Sequence, residues 1–374
     1  MNPNSAIPLI NLVAQHRVLK DDLLAAVGRV LEHGQFILGP EVDEFERQFA
    51  VMCGVPHAIG VGNCTDALVM ALHVLGIGCG DEVITVPNSW VSTTSAIALV
   101  GAHPVFVDSG DDLNIDVSRI EAAITPRTRA ILPVHLTGRP ADMGAIMRIA
   151  NARGLRVIED CAQAVGAKFD GRRVGSFGAV GCFSLHPLKT LNACGDGGML
   201  TTDDPELDQR LRVLRNVGLK SREECIAWSG NSRLDTMHAA MLLVKMQHLD
   251  EWIIRRRANA AEYCRLLQDL PQIVLPADRP AEKSVYHLFV IQAESRDELS
   301  AFLAQEGIRT AIHYPVPIHL QPVAKALGHS AGAFPRAEAQ AKRILSLPIY
   351  PELTPDDLHR VASTIRKFYA RTAE

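Results

Sequence analysis

Lys189 ends an apolar stretch, Ser184-Leu185-His186-Pro187-Leu188-Lys189, just ahead of the glycine-rich turn Cys194-Gly195-Asp196-Gly197-Gly198. Lysine is seldom buried without a purpose, and desolvation lowers its pKa and frees the amine for Schiff-base chemistry. A side chain that snorkels to solvent is the alternative. Asp160, in Glu159-Asp160-Cys161-Ala162-Gln163, directly follows the apolar run Leu155–Ile158. A carboxylate at the end of a buried strand is costly unless a cation meets it, although Asp also serves as a helix N-cap. In Gly60-Val61-Gly62-Asn63-Cys64-Thr65-Asp66, backbone amides at a helix start and the Thr65 hydroxyl could cradle a phosphate. That segment also nearly matches the G-x-G-x-x-G dinucleotide fingerprint, with Thr65 in place of the third glycine and Asp81 and Glu82 at a ribose distance. A nicotinamide-dependent oxidoreductase is therefore a competing reading.

As a set, the three features supply the anchors pyridoxal phosphate needs: a phosphate cradle, a carboxylate for the pyridine nitrogen and an amine for the aldehyde. The elements that must position them follow a regular rhythm. Short apolar runs at His57–Val61, Glu82–Val86, Pro104–Val107, Ala130–Val134, Leu155–Ile158, Cys182–Leu185 and Met199–Thr202 read as strands. Helical segments such as Thr65–Leu75 and Ala141–Arg153 lie between them. This alternation predicts βαβ units and an α/β fold with a mainly parallel sheet of seven strands covered on both faces, its ligand site at the strand C-termini. From Ser232 one long helical pattern runs to Leu267 and would bridge two domains. Beyond Pro271 the reading is a strand at Tyr286–Gln292 and helices at Ser295–Glu306 and Pro351–Tyr369. Residues 1–250 are expected to form the large domain and 251–374 a smaller α+β domain, with the N-terminal segment packing on the latter.

Bulk properties exclude several classes. The chain has 374 residues, 47% hydrophobic and 21% charged, which is ordinary globular composition. A formal net charge of -4 gives no broad basic field for nucleic acid. Neither a signal peptide nor a membrane span is legible, so the expected location is the cytoplasm. The eight cysteines form no C-x-x-C pair, so neither a metal site nor a disulfide framework is expected.

The sequence resembles the DegT/DnrJ/EryC1/StrS family of sugar aminotransferases, of the aspartate-aminotransferase fold type I. The resemblance runs through Gly39-Pro40-Glu41-Val42, Gly62–Leu68, Gly80-Asp81-Glu82-Val83-Ile84, Val134-His135-Leu136, Glu159–Gln163 and Ser184–Lys189. Gly230-Asn231-Ser232-Arg233-Leu234-Asp235 and His313-Tyr314-Pro315-Val316-Pro317-Ile318-His319 complete it.

The resemblance implies a role for each residue. Lys189 is the Schiff-base lysine, Asp160 the partner of the pyridine nitrogen, and Gln163 a donor to the ring hydroxyl oxygen. Trp90 would stack on the cofactor ring, where a core tryptophan is the alternative. Cys64 (through its backbone), Thr65 and Ser184 would hold the phosphate, joined by Asn231 from the other chain of a homodimer. His186, His313, Tyr314 and His319 would face the substrate, with structural histidines as the alternative. Cys64 stands where the family usually has glycine or another small residue. The implied activity moves an amino group from an amino acid, by family habit glutamate, to a nucleotide-linked keto-sugar, at C-3 on the likeness of the His313–His319 segment. A keto-cyclitol substrate and a non-catalytic ligand sensor stay open beside the oxidoreductase reading.

Overall fold

The computed structural model describes residues 6–372. The first half of the chain forms α1 (Leu12–His33), α2 (Pro40–Cys53), β1 (His57–Val61), α3 (Cys64–Val74), β2 (Glu82–Thr85), α4 (Val91–Leu99), β3 (His103–Phe106), α5 (Ile120–Ala123), β4 (Thr128–Ile131), α6 (Met143–Arg153) and β5 (Arg156–Asp160). The short β6 (Lys168–Phe169) and β7 (Arg172–Arg173) precede β8 (Val180–Ser184), β9 (Gly198–Thr202), α7 (Pro205–Arg215), α8 (Thr236–Met246) and α9 (Leu249–Leu267). Then come β10 (Ile273–Val274), β11 (Glu282–Lys283), β12 (Phe289–Ala293), α10 (Arg296–Gln305), α11 (Pro335–Arg343), β13 (Ile344–Leu347) and α12 (Pro355–Thr372).

Seven strands make one sheet in the order β1-β9-β8-β5-β4-β2-β3, and only β9 runs against its neighbours. The mainly parallel α/β sheet predicted from the strand rhythm is therefore present. β4, β5, β8 and β9 are buried along nearly their whole length because helices cover both faces. On one face Phe45, Phe49 and Phe183 pack together, with Phe49 edge-on to Phe183 at 5.0 Å between centroids. Burying each phenyl ring contributes about 2–3 kcal/mol. On the other face, Leu68, Leu72 and Ile97 pack with Leu211 of α7. Proline in the first turn starts α2 and α7, and left-handed glycines (Gly34, Gly54, Gly154) close α1, α2 and α6.

A second sheet, β10-β12-β13, shares a core with α9, α10 and α12 built on Tyr263, Phe289, Leu345 and Ile365. Ile7 belongs to that core and pairs in parallel with Ile308.

The single helix expected from Ser232 to Leu267 is two. It breaks at Gln247 and His248, where the His248 amide bonds Lys245 O in a tighter turn and the His248 ring stacks on Trp252. The break lets Lys245 point inward to Asn192, at 2.6 Å from its side-chain oxygen, while Trp252 packs on Leu19 and Leu23 of α1. The strand expected at Tyr286–Gln292 starts later, at Phe289. Tyr286 has a positive φ of 47°, and the Val285 and Leu288 amides bond the loop carbonyls of Gly138 and Thr137 instead of a ladder. The last helix starts at Pro355 rather than Pro351, because Pro351 and Glu352 form a turn.

The dinucleotide-fold reading of Gly60–Thr65 fails on topology. β1 sits at the sheet edge, paired antiparallel with β9, whereas that fingerprint needs a parallel βαβ unit. Glu82 is buried and engaged by the Thr125 hydroxyl and Arg127, which leaves it no reach to a ribose.

Candidate active site

The C-terminal ends of β5 and β8, the start of α3 and the loop before α4 converge on a cavity of about 410 Å³. The same cavity is walled by His287, His313 and Tyr314 from the C-terminal part and by Leu9 and Ile10 from the N-terminal segment.

At one end stands α3. Asn63 caps it, its side-chain oxygen accepting the Asp66 amide at 2.9 Å. Gly198 lets β9 approach this turn, since a Cβ there would lie 2.5 Å from the Asn63 carbonyl carbon. The Ser232 hydroxyl accepts from Gly62 N–H and donates to Asp66, locking the glycine turn. Cys64 and Thr65 occupy the first helical turn and line the cavity, with the Thr65 hydroxyl donating to Ser92 at 3.0 Å. A helix start carries partial positive charge and free amides, so this end suits an anion. Ser184, buried at the end of β8, lines the cavity as well.

Asp160 is held by two donors, the Thr93 hydroxyl at 2.8 Å and the Ala162 amide at 3.1 Å. Burial pushes its carboxyl above the usual range, and the Thr93 and Ala162 bonds and the Lys189 charge pull it back. A pyridinium nitrogen would complete the pairing that a buried carboxylate requires. Next to it, Gln163 accepts the Thr137 amide at 2.6 Å, which fixes its amide orientation, and donates to the Tyr314 hydroxyl at 3.2 Å. The second hydrogen of that amide has no partner among the described residues. Thr137 gives its amide from the left-handed region, at φ 63°, a strain of about 1 kcal/mol at a β-branched residue and the sort that collects at working sites.

The Lys189 amide bonds His186 O at 2.8 Å, but its Nζ makes no hydrogen bond or ion pair among the described residues. Burial lowers its pKa, opposed by Cys64 and Asp160, so the amine is nucleophilic at lower pH than a surface lysine. The cavity thus offers an unpaired amine, a buried carboxylate and a helix start. These residues fit pyridoxal phosphate.

Trp90 is 56% exposed and lines the cavity, its ring 5.4 Å from that of Tyr314. It is not a core tryptophan. His186, His313 and Tyr314 also reach the cavity. His313 bonds the Ser346 hydroxyl at 2.8 Å, and burial followed by the Lys189 charge depresses its pKa to about 4. Burial and Asp160 push the Tyr314 phenol up to about 12.

His319 does not face the substrate space. It is buried against Phe334, with Nε2 bonded to Glu338 at 3.0 Å, and it takes the structural role held open for it. Asn231 is exposed on its own chain and lies outside the cavity, its backbone bridged to Asn216.

The expectation of no metal meets one cluster of ligand types among the described residues, His135, Glu159 and Cys161. His135 Nδ1 accepts the Ala141 amide, so its Nε2 carries the proton and donates to Glu159 at 3.1 Å. Glu159 also accepts the amides of Gly175, Phe177 and Gly178. With those lone pairs engaged the cluster is a structural network, and it seats the turn that follows β7. All eight cysteines are free.

Sequence reasoning missed Thr93, Thr137, Leu9, Ile10 and His287. A hydroxyl cluster at the start of α4, Ser92-Thr93-Thr94, was the available signal for the first. The other four are set by chain segments far apart in sequence.

Fold and site together define a pyridoxal-phosphate-dependent aminotransferase. The comparisons agree. The chain belongs to the DegT/DnrJ/EryC1/StrS aminotransferase family, whose model matches residues 18–366. It is 45% identical to the dTDP-3-amino-3,4,6-trideoxy-alpha-D-glucose transaminase of Streptomyces venezuelae, over 98% of this chain and 97% of that one. It is also 45% identical to the UDP-N-acetyl-3-dehydro-alpha-D-glucosamine 3-aminotransferase of Acidithiobacillus ferrooxidans, over 98% and 99% of the two chains. The crystal structure of S. venezuelae DesV in complex with a ketimine intermediate superposes with a TM-score of 0.95 at 45% identity, covering 97% of this chain and 98% of the other. Among the described residues, no helix is long and apolar enough to cross a membrane.

Proposed function

We propose that the protein transfers the amino group of an amino acid, glutamate in our reading, to the C-3 ketone of a nucleotide-linked sugar. The observation that carries this reading is that two relatives, each 45% identical over 98% of the chain, are named for sugars bearing an amino or keto group at C-3. When bound, pyridoxal phosphate supplies an aldehyde that condenses with amines and a ring that withdraws electrons.

The remaining tasks fall to the chain. Lys189 holds the cofactor through Nζ and, once released, moves a proton from the same atom. Asp160 keeps positive charge on the ring nitrogen, and Thr93 keeps Asp160 ionised. Gln163 turns its spare N–H to the ring oxygen, because Thr137 and Tyr314 occupy its other groups. The α3 amides at Cys64 and Thr65, with the hydroxyls of Thr65 and Ser184, hold the phosphate. Trp90 lays its exposed ring on the cofactor, and His186, His313 and Tyr314 border the substrate.

Asn231, exposed and remote from its own cavity, acts on the phosphate of a second copy in a homodimer with two-fold symmetry. Residues 1–250 serve as the cofactor-binding domain and 251–374 as the smaller one, a division supported by the start of α9 at Leu249 and by the separate second core. The protein acts in the cytoplasm.

The test is to convert the enzyme to its pyridoxamine form with glutamate and offer a panel of keto-sugar nucleotides. The lysine-bound cofactor absorbs at roughly 410–430 nm. We expect glutamate to bleach that band and a 3-keto-sugar nucleotide to restore it. Failure of glutamate to bleach the band would favour a ligand sensor, and restoration by a keto-cyclitol alone would overturn the sugar assignment.

A further inference from the structure

His287 has no task in the roles assigned so far. It lies just before β12, is 6% exposed and lines the same cavity as Lys189. Its backbone is clamped from two sides. The neighbouring Val285 and Leu288 amides bond Gly138 O and Thr137 O at 3.0 and 3.1 Å. The buried Arg256 guanidinium donates to the carbonyls of Tyr286, His287 and Ile349. Gly138, at φ 92°, admits this approach, since a Cβ there would lie 2.8 Å from the His287 amide nitrogen. The loop is therefore fixed, and the ring's position with it.

The imidazole, by contrast, has no hydrogen bond among the described residues. Nδ1 is sealed from solvent without a partner, whereas Nε2 keeps accessible surface. A buried unpaired N–H is rarer than a buried unpaired acceptor, so the proton belongs on Nε2. Burial, then the charges of Lys189 and Arg256, hold the imidazolium well below its ordinary range. The ring stays neutral at working pH. A carboxylate prefers a cationic partner, whereas a neutral N–H suits a hydroxyl or a ketone.

We propose that His287 positions the keto-sugar, donating a hydrogen bond from Nε2 to an uncharged oxygen of that substrate. The inference rests on the keto-sugar reading above. Its test uses the holoenzyme with His287→Phe and His287→Asn, each half-reaction followed separately by absorbance. The probe is a thymidine-diphosphate-linked 3-amino-6-deoxyhexose, whose binding is also measured by calorimetry. His287→Phe should weaken that binding by roughly 10- to 100-fold, as expected for an unmade hydrogen bond to a buried group. It should lower kcat/KM for the sugar half-reaction at least about tenfold more than for the glutamate half. His287→Asn keeps an N–H donor and should recover part of the loss.

Equal losses in both half-reactions, or sugar binding indifferent to His287→Phe, overturn the role of His287 alone. A wild-type enzyme that is converted by glutamate but ignores every sugar nucleotide overturns the substrate reading and this inference with it.

Discussion

Replacing Thr93 with valine removes almost no volume and two hydrogen bonds, the one it donates to Asp160 and the one it accepts from the Ser89 hydroxyl, of which only the first responds to the charge on Asp160. The Thr93 hydroxyl donates to Asp160 Oδ2 at 2.8 Å inside the protein. A hydrogen bond to a buried charged group contributes about 1.5–3 kcal/mol, and one to its neutral form about 1 kcal/mol. Thr93 pulls the carboxyl down against the dominant effect of burial, which pushes it up. Losing Thr93 should therefore raise the folded-state pKa of Asp160 further, by roughly one unit at about 1.4 kcal/mol per unit.

A carboxyl whose folded pKa lies above its unfolded value binds a proton more readily when folded. Its cost to stability is absent in acid, grows as pH rises through the window between the two pKa values, and is fully present above it. Urea unfolding of the cofactor-free protein at fixed concentration should show a Thr93→Val deficit of about 1.5–3 kcal/mol at pH 8. In acid, below the raised folded-state pKa of Asp160, the deficit should be smaller by about 1 kcal/mol or more. Equal deficits at both pH values, or a larger one in acid, would refute the reasoning.

Gln163→Leu strands the Thr137 amide and removes the donor to Tyr314, so it should cost about 1–3 kcal/mol of stability and blue- or red-shift the cofactor band; an unshifted spectrum contradicts the assignment. His319→Ala should lose about 1–3 kcal/mol through the partly buried Glu338 bond and the contact with Phe334 while keeping kcat/KM within about twofold, because the ring does not reach the cavity; steady-state kinetics against thermal melting separates the two effects. Co-expressed Lys189→Ala and Asn231→Ala subunits should regain activity in mixed dimers, where one site combines a native Lys189 with a native Asn231. Mixtures no more active than either parent would place Asn231 on its own site.

The chemistry at Lys189 and Asp160 was legible because residue type alone is informative there: an amine closing an apolar stretch and a carboxylate ending an apolar strand are costly without partners. The parallel sheet was legible from short apolar runs alternating with helices. Other features depend on encounters that one sequence does not display. His287 reads as part of a strand, and only the clamp of Gly138 and Arg256 turns that stretch into a loop facing the cavity. His319 sits in a recognisable motif, yet Glu338 and Phe334 decide where its ring goes. Apolar periodicity runs straight through Gln247 and His248, so the break between α8 and α9, which accompanies the bonds of Lys245 to Asn192, is not visible in local propensity.

Borohydride reduction followed by peptide mapping shows whether Lys189 carries the cofactor. A reduced pyridoxyl adduct is expected on the peptide containing Lys189, with none in Lys189→Ala. An adduct on another lysine, such as the buried Lys245, or a reducible adduct at this site that survives in Lys189→Ala, would contradict it.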